Sequence, residues 1–340
     1  MSNVIDDDLL RVLSAHARRP VRFSTPPAPL SGGFWAAIYG FELDNPPSDL
    51  AGPLVLRVMP NQNAGIRESI VQRTVAEQGY ATPRVVLDGV DDALGGAFMV
   101  MRRVDGVGLL EDLSLGRTVL QFPKVARHLA AQLSRAAVEL HELDPQPLID
   151  RLRDVGVDVA ALGVHARLEE IDAAAAAAGS TGFAELAAWL RSRRPVMTPV
   201  VVCHGDIHPF NMLETGCGSF ELLDWTNANL CRREFDVGCT AALLNCAPLE
   251  VPRIARGPVR ALTTSLSQRF IKAYREQAPI NLDIVEWFET LQYGRCLAEV
   301  ALAPIKNDGI VGPRHPFRIS APAMIRQVQI ITDVTVGVST

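Results

Sequence analysis

Several things are scarce in this 340-residue chain, and each scarcity removes a class of protein. No apolar run approaches the roughly 18 residues that a membrane-spanning helix needs. The six-residue run Ala173–Ala178 is too short and too weakly apolar and reads as helix interior. The first residues, Met1-Ser-Asn-Val-Ile-Asp-Asp-Asp, are acidic where a secretory signal would be basic. Positive charge is not in excess: the net charge is −5, so no nucleic-acid footprint is present. The six cysteines, Cys203, Cys217, Cys231, Cys239, Cys246 and Cys296, form no C-x-x-C pair and have no histidines at zinc-ligand spacing. Reduced thiols in a cytoplasmic protein are the expectation, with Cys203 buried in a strand rather than reactive. Repeats and disordered tracts are also missing.

What remains is a globular composition, 48% hydrophobic and 21% charged, of a size for two domains or one domain with two lobes. Hydrophobic period separates the lobes. Asp6–Arg19 reads as a helix, Val21–Thr25 as a short strand, and Pro26–Pro29 as a stiff lead-in. Strand patterns follow at Phe34–Leu43, Leu54–Met59, Arg84–Leu87 and Ala97–Met101, with one helix, Ala64–Gln78, set among them. After Gly106 the texture is helical: a long amphipathic helix through Phe122, Val125, Leu129, Leu133, Ala136 and Leu140, then Val164–Ala178, Gly182–Arg193, Phe235–Leu244, Val251–Tyr274, Leu282–Ala303 and Ala323–Val334. Asp308–Pro316 reads as a loop.

One stretch interrupts the helices. Val201-Val202-Cys203 is a short apolar strand that delivers His204-Gly205-Asp206-Ile207-His208-Pro209-Phe210-Asn211. Thirteen residues after Asn211, a second short strand, Glu221-Leu222-Leu223, ends in Asp224. A loop and a strand end thus offer a carboxylate to orient a hydroxyl, plus an amide oxygen and a second carboxylate, hard donors suited to Mg²⁺. That is the set phosphoryl transfer requires. An ordinary polar turn between two buried strands is the bland alternative.

These residues resemble the aminoglycoside phosphotransferase and choline kinase-like family of small-molecule kinases. The resemblance rests on His204–Asn211, on Leu222-Leu223-Asp224-Trp225, and on Glu234-Phe235-Asp236-Val237-Gly238. It implies an α+β, bilobal, protein-kinase-like fold: an N-terminal antiparallel sheet lobe with one main helix, residues 1–103, binding nucleotide, and a larger helical lobe, residues 104–340, carrying an inserted catalytic hairpin and the substrate site. Further landmarks occur in order. Ser31-Gly32-Gly33 stands where the glycine-rich loop over the phosphates falls, Arg57 where the phosphate-binding lysine falls, and Glu68 on the next helix as its ion-pair partner. Met101, Arg102 and Val104 fall at the adenine-binding hinge, with Met101 as gatekeeper and the Arg102 carbonyl and Val104 amide as the bonding edge.

The roles that follow are those of a kinase for small molecules. Asp206 would take the acceptor's proton, Asn211 and Asp224 would hold Mg²⁺, and ATP or GTP would donate the phosphoryl group. His208 either donates to the γ-phosphoryl group or packs the loop. Arg57 either meets the phosphates, with geometry unlike that of lysine, or lies with its head in solvent, and Glu68 either pairs with it or is an exposed helix glutamate. Asp236 either caps a helix or anchors the amides of the catalytic loop. Trp225 and Thr226 replace the Phe and Gly of the protein-kinase Asp-Phe-Gly triplet, and no Ala-Pro-Glu segment follows, which argues against a regulated protein kinase. The expected partner is a small hydroxylated molecule, with no nucleic acid and no membrane, and the expected state is a monomer or homodimer. Arg232, Arg233, Arg253, Arg256 and Arg260 outnumber the nearby carboxylates, so a neutral or anionic acceptor fits at least as well as a polycation. A nucleotide-binding pseudokinase is the alternative, with Arg57 as its clue. Intact Asp206, Asn211 and Asp224 stand against it. An unrelated metal-dependent hydrolase would leave Gly32-Gly33, Arg57 and Glu68 unexplained.

Overall fold

The alternation of Leu54, Leu56 and Val58 with Val55, Arg57 and Met59 determines how the N-terminal sheet is dressed. Side chains on a strand point to opposite faces in turn, so one strand feeds two cores. In the computed structural model, which describes residues 2–30, 36–109, 115–159, 163–216, 218–249, 256–306 and 315–338, this strand is β3 (Leu54–Met59). It lies between β2 (Ala37–Asp44) and β5 (Gly96–Arg102) in a five-stranded antiparallel sheet whose outer strands are β1 (Arg22–Pro29) and β4 (Val85–Asp91). Leu54, Leu56 and Val58 join Phe41, Leu43, Phe98 and Val100 in a core closed by Leu9 and Leu13 of helix α1 (Ser2–Ala17). Met59, Met99 and Val85 pack together in a second, smaller cluster.

Helix α2 (Gln62–Glu77) begins at Asn61, whose side chain accepts the Ala64 amide. It comes close enough to the sheet that a β-carbon on Gly65 would stand 2.5 Å from that of Ala97, so only glycine fits there. Its buried positions include Glu68, Gln72 and Val75, one helical face.

Some elements differ from the sequence expectation, beginning with α1, which starts at Ser2 rather than Asp6. Pro26–Pro29 is part of β1 rather than a lead-in, because β1 is an edge strand and needs no amide donors on its outer side. Helix α4 (Gln146–Asp154) was not foreseen from the sequence: with only Leu148 and Leu152 buried it carries too short an apolar stripe to register as periodic. Arg151 ties it to α2 through Glu77, at 2.6 Å, and the Thr74 hydroxyl, at 3.1 Å.

The chain divides into two compact units, the first comprising residues 1–107, 146–157 and 213–226, the second 108–145, 158–212 and 227–340, with the two-residue strand β6 (Val107–Gly108) at their first boundary along the chain. The second is helical. The expected helices are present as α3 (Leu115–His141), α5 (Val164–Ala178), α6 (Thr181–Ser192), α7 (Arg233–Asn245), α8 (Arg256–Arg275), α9 (Leu282–Lys306) and α10 (Pro316–Thr332). The expected start of α8 at Val251 lies outside the described residues. Pro316, expected in a loop, is the first residue of α10, where its missing amide costs nothing. Their core gathers Ile171, Phe183, Leu186, Phe235, Phe288, Leu291, Tyr293 and Met324. No described helix is long and apolar enough to cross a membrane.

Candidate active site

In the second unit, β7 (Val201–Cys203) is fully buried and pairs antiparallel with β10 (Asn229–Cys231), with Cys203 opposite Asn229. The chain leaves β7 through Gly205, whose φ of +77° is the left-handed region that glycine enters at no steric cost. A β-carbon there would also meet the Asn227 carbonyl at 2.5 Å. Two features fix this turn from behind. Asp236, fully buried in the first turn of α7, accepts the His204 amide at 2.9 Å and the Gly205 amide at 2.6 Å. Thr240, one turn further on, donates its hydroxyl to the Ile207 carbonyl at 2.9 Å. Asp236 is therefore an anchor for the loop and not a helix cap; Arg232 occupies the cap position.

His141, from the end of α3, lies with Nε2 3.0 Å from Asp236 and Nδ1 2.7 Å from the Tyr274 hydroxyl. Burial by itself would raise the Asp236 pKa; the His141 bond and the two amides outweigh it and hold the carboxylate below its ordinary range. His141, Cys203 and Asp236 place nitrogen, sulfur and oxygen within 4.8 Å of one another. With both Asp236 oxygens committed to amides, this is a hydrogen-bonded brace and not a metal site. Burial pushes the Cys203 thiol well up, as it does those of Cys231, Cys239, Cys246 and Cys296; all five are free and buried, Cys203 within β7 as the sequence suggests.

The loop then presents Asp206. Its Oδ2 is 3.4 Å from the Asn211 amide nitrogen and 3.5 Å from that of Asn227, and its Oδ1 is 3.5 Å from His208 Nε2. Asn211 also donates to the Asp206 carbonyl at 3.1 Å, which commits its nitrogen and leaves its oxygen as the group able to ligate a cation. Asn211 closes a single turn of 3₁₀ helix, Pro209–Asn211, capped by His208, whose Nδ1 accepts the Phe210 amide at 3.2 Å. That bond places the proton of a neutral His208 on Nε2, the nitrogen facing Asp206. His208 is thus both a loop cap and a neighbour of the carboxylate. Asn227, which belongs to no motif read from the sequence, is a third neighbour of Asp206.

In the first unit, Asp224 follows the hairpin of β8 (Met212–Gly216) and β9 (Ser219–Leu222). Asp224 has φ +65°, a left-handed conformation that costs a non-glycine residue on the order of 1 kcal/mol. The turn is held on both sides. Trp225 is fully buried, stacks edge-on against Tyr80 at 5.7 Å, and donates its indole N–H to Thr82 at 2.9 Å. Thr82 in turn donates to the Leu222 carbonyl at 2.8 Å, while the Leu222 amide reaches the Ala81 carbonyl at 2.9 Å.

Arg57 and Glu68 meet here. Arg57 is 6% exposed and Glu68 1%, which overturns the readings of a solvent-facing arginine and an exposed helix glutamate. The strand register gives the reason: it sets Arg57 opposite Met99, whose side chain is fully buried. The Arg57 guanidinium lies 3.2 Å from Glu68 Oε1 through Nε and 3.1 Å from Asp224 Oδ1 through Nη2. Burial pushes the Glu68 carboxyl up to about 7, with Arg57 pulling it back and the Asp224 charge adding to the rise. Thr226 completes the group. Its hydroxyl is 2.7 Å from Asp224 Oδ1, 3.0 Å from Glu68 Oε2 and 3.0 Å from Arg57 Nη2.

Met101, Arg102 and Val104, expected from the sequence to form an adenine-binding edge, are half-buried. The Gln72 amide nitrogen approaches the Met101 sulfur at 3.5 Å, the Arg102 amide bonds the Arg84 carbonyl at 3.0 Å, and the Arg102 guanidinium rests on the Ser48 carbonyl at 3.2 Å. Ser31, Gly32 and Gly33 lie outside the described residues. Arg232, counted above among cations near the substrate, instead pairs with Glu234 at 3.1 Å and with the carbonyl of Val196.

An antiparallel sheet unit bearing the Arg57–Glu68 pair, together with a helical unit bearing the His204–Asn211 loop, is the α+β, protein-kinase-like fold. Residues 38–274 match the phosphotransferase enzyme family, and the chain belongs to that family of enzymes. It is 32% identical over 168 residues to an aminoglycoside 3'-phosphotransferase of Streptomyces fradiae, a match that spans 48% of this chain and 58% of that protein. Among solved structures, it is similar to the GDP complex of an aminoglycoside 2'-phosphotransferase-IIIa variant, with a TM-score of 0.59, 15% identity, and 96% of this chain and 98% of that one covered. It is also similar to a thermostable mutant of aminoglycoside phosphotransferase APH(4)-Ia in ternary complex with ADP and hygromycin B, with a TM-score of 0.58, 14% identity, and 94% and 98% covered.

Proposed function

We propose that this protein transfers the γ-phosphoryl group of ATP or GTP, with Mg²⁺, to a hydroxyl of a small molecule. The observation that carries the reading is the Asp206 carboxylate, set between His208, Asn211 and Asn227 on a loop whose amides are pinned by Asp236. A carboxylate so oriented can accept the proton of an acceptor hydroxyl as its oxygen bonds to the γ-phosphorus. The bond from that phosphorus to the bridging oxygen breaks, and the nucleoside diphosphate leaves.

Asn211 and Asp224 are the proposed metal ligands. An amide oxygen and a carboxylate are hard donors of the kind Mg²⁺ takes, and the Asn211 nitrogen is already committed to Asp206, so the residues fit the ion. When bound, the ion would neutralise charge on the phosphates. Arg57 is the proposed phosphate contact, held by Glu68; Ser31, Gly32 and Gly33 are the proposed loop over the phosphates; and Met101, Arg102 and Val104 are the proposed adenine edge. Residues 1–103 would then form the nucleotide-binding lobe and 104–340 the acceptor lobe.

The acceptor class is drawn from the relatives. An aminoglycoside is the first to try, given the Streptomyces fradiae enzyme, and sugars, amino alcohols and nucleosides come next. Retention of Asp206, Asn211 and Asp224 favours catalysis over a regulatory nucleotide-binding role. The test pairs nucleotide binding with turnover in Asp206→Asn: binding is expected to persist and turnover to collapse, and unchanged turnover would remove Asp206 as the base.

A further inference from the structure

Thr226 stands where the protein-kinase triplet has glycine, and a glycine would turn the chain without offering a hydroxyl. Here the hydroxyl is the meeting point of two carboxylates and a guanidinium, at 2.7 Å from Asp224, 3.0 Å from Glu68 and 3.0 Å from Arg57. One hydroxyl has one hydrogen to donate and lone pairs to accept with. It can therefore take the Arg57 N–H and give its own hydrogen to Asp224, the nearer carboxylate. The residue is itself fixed: its amide approaches Asp224 Oδ1 at 3.4 Å, its carbonyl accepts Arg67 Nη2 at 3.0 Å, and a β-branched side chain has few rotamers to lose.

We propose that Thr226 is a positioning residue for Asp224. Its hydroxyl holds Oδ1 of the carboxylate and couples it to the Arg57–Glu68 pair, so that the pair orients the metal-holding group as well as the phosphates. This rests on the phosphotransfer reading given above. It also accounts for the left-handed backbone at Asp224: three donors, from Arg57, the Thr226 hydroxyl and the Thr226 amide, converge on one oxygen and stabilise a turn that is otherwise unfavourable. With Arg57 called on to meet phosphates, the hydroxyl is the contact that keeps Asp224 in place.

The test compares Thr226→Val, Thr226→Gly and Thr226→Ser with the wild type by calorimetry of ADP binding, once in EDTA and once with excess Mg²⁺, and by the Mg²⁺ dependence of turnover. Val keeps the shape and loses the hydroxyl, Gly restores the triplet without it, and Ser keeps it. The expected result is that ADP affinity in EDTA stays within about twofold for all four proteins, while the gain in affinity on adding Mg²⁺ falls about tenfold in Val and Gly, the size of one lost bond to a charged group, and returns in Ser. The Mg²⁺ needed for half-maximal turnover rises in step, with KM for the acceptor unchanged. Val and Gly variants that respond to Mg²⁺ as the wild type does overturn the inference, as does a Ser variant as impaired as Val. A wild-type protein whose ADP affinity ignores Mg²⁺ refutes the phosphotransfer reading itself, and with it any metal role for Thr226.

Discussion

Asp236→Asn isolates what holds the catalytic loop. The wild-type carboxylate is completely buried and receives three donors: the His204 and Gly205 amides at 2.9 and 2.6 Å and His141 Nε2 at 3.0 Å. Asparagine has nearly the same shape but only one accepting atom, so its nitrogen must face an N–H. One backbone amide is left without an acceptor, and the remaining bonds lose their charge assistance. An orphaned buried donor costs about 1–3 kcal/mol, and each bond to a charged group is worth about 1.5–3 kcal/mol. The substitution should therefore destabilise the protein by about 3–5 kcal/mol, as for removal of one partner from a buried charged network. Urea unfolding, followed by a shift in midpoint at constant slope, measures this.

The pH dependence adds a check on sign. The folded pKa of Asp236 lies below its ordinary value of 3.8, so its charge contributes stability that is complete above that value and is lost as pH falls through the folded one. Wild type and variant should converge below pH ~4 and stay apart at pH 7. A variant that unfolds at the wild-type midpoint, or a gap that persists undiminished into acid, would refute the anchoring role.

The other expectations concern the first unit. Glu68 has the opposite sign: its folded pKa, raised by burial from 4.5 to about 7, means that its ionisation opposes folding, so stability should fall as pH rises between those values. The loss amounts to up to about 3 kcal/mol. Glu68→Gln should flatten that slope in unfolding measured at pH 5 and pH 7, and an unchanged slope would contradict the burial argument. Asp224→Ala should abolish the extra rise in melting temperature that Mg²⁺ gives to ADP-bound protein, and free protein should melt lower as well, because Arg57 and the Thr226 hydroxyl lose the carboxylate oxygen they share while alanine keeps the left-handed backbone. A retained Mg²⁺ effect would move the metal elsewhere.

Local pattern made the elements legible. The alternation in Leu54–Met59 and the helical spacing after Ala64 led directly to β3 and α2, and the residues of β7, Asp206, Asn211 and Asp224 could be read from a strand–loop–strand order. The contacts that aim those residues could not be read. Thr82 meets Trp225 across 143 positions and His141 meets Asp236 across 95, and nothing local marks either pair. Asp236 stayed ambiguous because a carboxylate in the first turn of a helix suits a cap as well as an anchor; only the two amides of His204 and Gly205 distinguish them. Arg57 was ambiguous for the converse reason. Alternation shows that it leaves the Leu54–Leu56–Val58 face, but not that Glu68, Asp224 and Thr226 are all waiting on the other side.

Asp206 as the base of a phosphoryl transfer is tested by single-turnover phosphoryl transfer in Asp206→Asn, read beside the nucleotide affinity of the same variant. The rate should fall by about 10²–10⁴-fold, the usual contribution of a positioned base, with ADP affinity in Mg²⁺ within about twofold of wild type. A rate within a few-fold of wild type would contradict it.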